Sequence, residues 1–354
     1  MNSEFPKISL VTVSFNQGQF LEETIKSVVE QNYPNLQYII IDGGSTDNSV
    51  EIIKKYEQYI EYWVSEKDSG QSEAINKGIA KCDGEIFNWL CSDDYLEPGA
   101  LLKVANAFKE NDIHILYGNV SLFGGKYSIP QIAIGTQLQD NLSKTIVRSF
   151  ITQPVTFWNF KYFLDSGLNN ALHWYMDYEM WIKYLIKNGQ DKVFHLNELI
   201  AHYRFHDNSK SQLESDYTQT NKSSKYKIEM NSIYYSMAKA IDNKTALNII
   251  PSLSDDFFEY EFNFNLLPYK EIIEKALNYY VYDNAERYYW VNDYKFSKIL
   301  FNNVNYNLLD EKERFNYNVY LKQIKKEPYF KYFRKLPFIK ILSKIKGKSN
   351  DIKK

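Results

Sequence analysis

The chain has 354 residues, 44% of them hydrophobic, and a formal net charge of −2, which is enough length and apolar content for one large domain plus a smaller one. The near-neutral balance argues against nucleic acid as a partner of the whole chain, because gripping a phosphate backbone demands a strong basic excess. There are two cysteines, Cys82 and Cys91, expected as free thiols in a reducing compartment; Met1 to Leu10 has no basic stretch followed by an apolar run, and no uncharged apolar segment reaches the roughly 18 residues of a membrane span, so a cytoplasmic location is expected.

Lys7 to Phe15 is apolar and β-branched and predicts a buried strand, and Gln19 to Glu30 sets Phe20, Leu21, Ile25, Val28 and Val29 at helical spacing. Gln37 to Ile41 predicts a second strand running into the turn Asp42-Gly43-Gly44-Ser45, with Ser45 to Asp47 offering N-cap side chains for a helix that reaches Tyr56. Ile60 to Val64 predicts a third strand, Gln71 to Ala80 a helix, and Gly84 to Leu90 a fourth strand ending at Cys91-Ser92-Asp93-Asp94. Pro98 is then expected in the first turn of a helix through Phe108. Val155 to Trp158 reads as a strand, Asp177 to Lys187 as an amphipathic helix, Val193 to Arg204 as strand, turn, strand, and the Tyr-, Asn- and Lys-rich sequence from about Asp216 as helical. The expected fold class is α/β, a mixed, mostly parallel central sheet with helices on both faces and a helical C-terminal region. Ligands of such sheets bind outside the carboxyl ends of the strands, which directs attention to Asn16, Asp42, Asp68 and Asp93-Asp94.

Two adjacent carboxylates at the end of an apolar strand, as in IFNWLCSDD, are stable chiefly when a cation or hydrogen-bond donors offset them. Mg²⁺ and Mn²⁺ favour a few carboxylates plus phosphate and water oxygens, so Asp93 and Asp94 suit a metal–nucleotide diphosphate; a helix N-cap ahead of Pro98 is the other reading. Asp42 could accept from a base N–H or a ribose hydroxyl, with two glycines admitting close backbone approach, or could simply build a turn and helix cap. Asp177, in the aromatic setting WYMDYEMW, suits a desolvated general base, or caps its helix with Glu179 as a dipole partner. If the segment is extended, His202, Arg204 and His206 share one face able to meet phosphate or metal; a surface strand edge would look the same. No GxGxxG follows the first strand and no GxxxxGK[ST] occurs, so a dehydrogenase or P-loop reading lacks its phosphate loop.

Five segments in this order resemble the family 2 inverting glycosyltransferases of the nucleotide-diphospho-sugar transferase (GT-A) fold. They are LVTVSFNQGQFLEETIKSVVEQNYPNLQYIIIDGGSTDNS, EKDSGQSEAINKGIAKCDGEIFNWLCSDDYLEPGAL, QPVTFW, MDYEMWIK and HYRFHDNSKS, covering roughly Pro6 to Ser211. The resemblance implies a catalytic domain over 1–215, with a nucleotide-binding part about 6–120 and an acceptor part about 121–215, followed by a helical region over 216–354. It implies that Thr12, Phe15 and Asn16 lie by the nucleotide base, that Asp42 hydrogen-bonds the base, usually uracil, and that Asp68, Gln71 and Asn76 flank base, ribose or donor sugar. Asp93 and Asp94 match the metal-binding acidic motif, Asp94 as a direct ligand of Mn²⁺ or Mg²⁺ and Asp93 as a ribose or outer partner. Asp177 matches the catalytic base, and Arg204 and His206 the Arg-x-His element near the diphosphate and metal. Two positions depart from the pattern: Cys91 stands where the metal motif begins with an acid, and Met176 precedes the base where an acid is frequent.

The implied activity is metal-dependent transfer of a sugar from a UDP-sugar or similar donor to a glycan or lipid-linked glycan, in capsule, O-antigen or other surface polysaccharide synthesis. A catalytically inactive sugar-nucleotide-binding scaffold of the same fold is the alternative. A nucleotidyltransferase would carry a basic glycine-rich loop after the first strand, and VSFNQGQF has no Lys or Arg. From Lys322 to Lys354 twelve Lys/Arg face two acids, and the interleaved Phe333, Leu336, Phe338, Ile341, Leu342 and Ile345 suggest short amphipathic helices broken at Pro337. Such a tail suits an anionic membrane surface and a peripheral place at the inner face of the plasma membrane.

Overall fold

Strand alternation sets the architecture. Along β1 (Ile8–Ser14), Ile8 and Leu10 face one apolar cluster while Val11 and Val13 face a second; in β2 (Leu36–Asp42), Tyr38 and Ile40 face the first and Ile39 and Ile41 the second. A strand buried on both sides must be apolar at nearly every position, which is why these runs were readable. Helices α1 (Gly18–Val29), α2 (Ser49–Lys55) and α4 (Ala100–Glu110) cover the first cluster, α1 through Leu21, Ile25 and Val28. Helix α3 (Gln71–Ile79) covers the other through Ala74 and Ile75.

The computed structural model describes residues 5–207, 209–210 and 221–333. Among these, nine strands form one sheet in the order β3-β2-β1-β4-β8-β6-β9-β5, with β7 paired to β6. β3 (Tyr62–Ser65), β2, β1 and β4 (Ile86–Cys91) run parallel. β8 (Thr156–Asn159) is antiparallel to β4 and to β6 (Ile115–Gly124), and the two-residue β5 (Tyr95–Leu96) is antiparallel to β9 (Val193–Arg204). β7 (Tyr127–Ile134) closes a hairpin on β6. Helices α5 (Leu142–Arg148), α6 (Phe160–Ser166) and α7 (Met176–Asn188) belong to this part. α8 (Lys225–Ala240), α9 (Lys244–Ile249), α10 (Lys270–Trp290), α11 (Tyr294–Phe301) and α12 (Glu311–Phe333) make the helical region. The expected boundary at 215/216 and the tail beyond 333 lie outside the described residues.

Three local expectations are corrected. Val193–Arg204 is one strand, not two: between the pairs Tyr117↔His195 and Asn119↔Leu199, β9 carries two more residues than β6. The exposed Asn197 and Glu198 of that irregularity gave the sequence its turn-like look. The helix after β5 starts at Ala100, with Gly99 at φ 76° as N-cap, so Pro98 lies before it. The helix after the glycine turn starts at Ser49, and Asp47 serves two helices at once: Oδ1 accepts the N–H of Ser49 (3.0 Å) and Oδ2 that of Gly18 (2.9 Å).

The approach to β4 depends on a missing side chain. A Cβ at Gly84 would lie 2.7 Å from the Ser9 backbone nitrogen and 2.9 Å from the Lys7 carbonyl oxygen, atoms that cannot step aside without moving β1. Gly84→Ala is therefore expected to lower stability by about 1–3 kcal/mol, read as a reduced urea midpoint at unchanged slope; an unshifted midpoint would show that β1 and β4 can spread.

Candidate active site

The turn Cys91-Ser92-Asp93-Asp94 leaves β4 at the carboxyl edge of the parallel strands. It is held from beneath by Thr24 of α1, whose hydroxyl donates to the carbonyls of Ser92 (2.9 Å) and Asp94 (2.7 Å). Ligand atoms of Cys91, Asp93 and Asp94 lie within 4.8 Å of one another. Asp94 is buried, and burial followed by the charge of Asp93 pushes its carboxyl well above the usual range. Its Oδ1 accepts the N–H of Arg204 at 2.9 Å, and Asp93 Oδ2 lies 3.0 Å from His206 Nε2. Burial and then the two aspartates push the Cys91 thiol up, so it stays protonated; Gln71 Nε2 donates to it at 3.1 Å.

The end of β9 and the residues after it therefore reach the acids through the Arg204 N–H and His206, two of the three residues that the shared-face reading of His202, Arg204 and His206 grouped. His202 does not join them: it stacks on Tyr95 (4.3 Å) and meets Glu97 Oε2 at 2.6 Å. The Arg204 side chain is committed as well, donating to the Asp93 carbonyl (2.9 Å) and to Glu23, with its guanidinium over Phe20 and Phe123. It braces the turn and the imidazole is the group that meets the acid.

Asp177 lies in the first turn of α7 and does not cap it; the N-cap is Tyr175, and Asp177 Oδ1 accepts the Tyr178 N–H at 2.8 Å. Burial raises its carboxyl to about 6, against the lowering influence of Lys210. Glu179 turns inward to Lys183 (2.9 Å) rather than acting as an exposed dipole partner. Lys210, which sequence reasoning passed over, ties the site together: its ammonium donates to Gln71 Oε1 (2.8 Å) and to the His173 carbonyl (2.6 Å). Burial lowers its pKa, while Cys91, Asp177 and Glu229 act to raise it. It lies four residues past His206, inside the HYRFHDNSKS segment, and that proximity was the available signal.

The residues that the resemblance places by a nucleotide divide. Phe15 is 60% exposed. Asn16, at φ 52°, is locked by accepting the Thr46 N–H (2.8 Å) and donating its own to Ser45 Oγ (2.7 Å). A Cβ at Gly43 would meet Asp68 Oδ2 at 2.8 Å and Phe15 Cδ2 at 3.3 Å, so an exposed ring and a carboxylate converge on bare backbone. Asp68 accepts the Gly70 N–H at 2.9 Å, and burial holds its pKa up. Thr12 is not brought here: it is fully buried with its hydroxyl 3.0 Å from that of Tyr38. Asp42 is also fully buried, and its oxygens accept from Gly44 N (3.2 Å), Ser45 N (2.8 Å), Ser45 Oγ (2.5 Å) and Ser65 Oγ (2.6 Å). Three of these donors meet Oδ2 and one meets Oδ1 of a carboxylate with no exposed surface, so Asp42 organises the turn. Asn76 is spent on the loop before α7, donating to Asn170 Oδ1 (2.7 Å).

Residues 9–166 match the family model Glycosyl transferase family 2. A Rickettsia felis protein described as an uncharacterized glycosyltransferase is 26% identical over 230 residues, covering 62% of this chain and 37% of that one, so the chain spans about a third of that relative's length. The structure of S. aureus TarS 1–349 in complex with UDP-GlcNAc superposes with a TM-score of 0.52 at 16% identity, over 85% of this chain and 82% of that one. The mannosyltransferase PcManGT from Pyrobaculum calidifontis, in complex with GDP-Man and Mn²⁺, gives 0.50 at 13% identity over 92% and 83%. At such identities the likeness shows the fold, which is the nucleotide-diphospho-sugar transferase fold with a helical C-terminal region.

Asp42→Asn puts an NH₂ among donors and is expected to lower stability by about 1–3 kcal/mol with no nucleotide present, measured by thermal or urea unfolding. Unchanged stability with lost nucleotide affinity would instead make Asp42 a ligand contact.

Proposed function

Because residues 9–166 match the family model Glycosyl transferase family 2, we propose that the chain is a metal-dependent, inverting glycosyltransferase that moves a sugar from a UDP-sugar to an acceptor hydroxyl. The observation that carries this reading is a connected set of side chains: Asp93 and Asp94 stand beside Cys91, His206 meets Asp93, and Gln71 joins Cys91 to Lys210, whose charge acts on the desolvated Asp177. The exposed Phe15 ring and Asp68 beside Gly43 suit a nucleobase, the ring by stacking and the acid by accepting from base or ribose.

Asp93, Asp94 and His206 fit a divalent cation of the Mn²⁺ or Mg²⁺ type: carboxylates dominate the set, and Asp94 is a buried acid beside a second acid with one backbone donor on it. Held there, such an ion would neutralise charge building on the departing diphosphate. Arg204 keeps the Asp93-Asp94 turn in place through its backbone and guanidinium N–H groups. Lys210 adds a cation between the acidic turn and α7. Asp177, at about 6, is ionised at neutral pH and still basic enough to take the acceptor hydroxyl's proton. The acceptor oxygen then attacks the anomeric carbon opposite the leaving nucleotide.

Trp174, Tyr175 and Tyr226, packed edge to face next to Asp177, suit the apolar face of a sugar ring. That suits a glycan acceptor, and a lipid-linked glycan in surface polysaccharide synthesis is proposed from the family resemblance alone. No helix among the described residues is long and apolar enough to cross a membrane. A peripheral contact with an anionic membrane rests on the sequence of the basic tail, which extends past the described residues.

Asp177→Asn is expected to cut kcat by about 10²–10⁴-fold at unchanged donor affinity, and wild-type kcat should climb with pH through about 6 and level off above it; an Asn variant with most of its kcat would remove Asp177 as base. In a thermal-shift screen of UDP, dTDP and GDP with Mn²⁺, Mg²⁺ or EDTA, one nucleotide should raise the melting temperature only with metal. Asp94→Asn should erase the metal-dependent part of that shift, and a shift equal to that of wild type would sink the ligand assignment.

A further inference from the structure

The segment that presents Asp177 is gripped from two sides. On one side Ser72 of α3 donates to the Leu172 carbonyl (2.6 Å) and contacts Met176 Sδ (2.7 Å), and Lys210 donates to the His173 carbonyl (2.6 Å). On the other side a single carboxylate from the helical region takes three consecutive backbone N–H groups: Glu229 Oε1 accepts from His173 (2.9 Å), and Oε2 from Trp174 and Tyr175 (2.8 Å each). Those N–H groups directly precede α7, with Tyr175 as its N-cap, where the helix dipole also favours an anion. Glu229 is 5% exposed, so water cannot readily replace it. Its neighbours along α8 reinforce the contact: Tyr226 meets Trp174 and Tyr175 edge to face at 5.1 and 5.3 Å, and the Tyr234 hydroxyl lies 3.0 Å from that of Tyr178.

We propose that Glu229 is a positioning residue for Asp177: its carboxylate, reaching in from the helical region, fixes residues 173–175 and thereby the placement of the Asp177 carboxylate. This rests on the reading of Asp177 as the base. The alternative, a helix cap that only stabilises α7, would change melting temperature and leave the pH profile alone. Two charged side chains act on the Asp177 carboxyl, Lys210 lowering its pKa and Glu229 raising it, with the protonated Cys91 thiol near Lys210. Removing the charge of Glu229 therefore lowers the Asp177 pKa and moves the acid limb of kcat to lower pH.

The test is Glu229→Gln in the full chain, where one acceptor oxygen becomes an NH₂. Hydrogen exchange at the amides of 173–175 should quicken by about tenfold or more, kcat should fall by about 10²-fold as the base is misplaced, and the acid limb should shift down. The nucleotide-induced thermal shift should stay as in wild type. Unchanged exchange, or unchanged kcat with an unmoved acid limb, overturns the proposal. Should the Gln variant fail to fold, the wild-type chain still decides: amides 173–175 exchanging as fast as those of an open loop would overturn the brace. Because exchange is read without turnover, an active Asp177→Asn variant would sink the base reading alone and leave the brace standing.

Discussion

Two acidic side chains at the end of a buried strand set the terms for this molecule. Asp94 is almost fully enclosed beside Asp93, and such a pair is costly unless donors surround it. The donors come from distant parts of the chain: the N–H of Arg204 on Asp94, His206 on Asp93, and Thr24 on the carbonyls of the turn. Meeting that demand fixes where β9 ends, why α1 lies against β5, and why Phe20, Tyr95 and Phe123 enclose the Arg204 guanidinium. A structure selected only for stability would replace the pair with apolar residues.

The parallel half of the fold was legible because its physics is local. Strands buried on both faces are apolar throughout, and α1 and α3 repeat at 3.6 residues with their buried positions in register. The antiparallel half was less so. β7 carries Ile129 and Ile132 at 74% and 69% exposure on an edge of the sheet, so its apolar residues mark no core. In β9 a bulge with polar residues imitates a turn. Both are tertiary outcomes without a periodic signature.

The candidate site shows the same division. A strand-end acid draws attention in the sequence, but position does not reveal whether its lone pairs are free. Asp42 is fully buried and accepts from its own turn and from Ser65, and Thr12 is buried with its hydroxyl against that of Tyr38. Asp68, in a loop rather than at the end of an apolar run, keeps an oxygen facing Gly43 and Phe15. Lys210 looked like one more surface lysine until Gln71 and the His173 carbonyl gave it partners. Glu229 left no trace, since nothing about an acid inside a helix announces which backbone it will meet 54 to 56 residues away.

The helical region is part of the same physical unit as the sheet. One apolar cluster runs without interruption from Val11 and Trp89 through Trp158 and Trp181 to Tyr234, Leu277, Tyr280 and Ile324. Beside it, Arg148 of α5 forks onto Asp283 of α10 (2.7 and 3.0 Å) and reaches Glu313 of α12 (2.7 Å), while Lys144 meets Asp310 and Glu313. Buried ion pairs add little net stability, but they penalise any arrangement that separates them, so they fix the orientation of α10 and α12 against α5. α8 packs against α10 through the stacked rings of Tyr234 and Tyr280 (3.9 Å). The carboxylate of Glu229 thus reaches the start of α7 from a wall that cannot drift. The aromatic contacts just before α7 come from both sides of that seam, Trp174 and Tyr175 from one and Tyr226 from the other, so the segment that leads into Asp177 is shaped where the helical region meets the sheet.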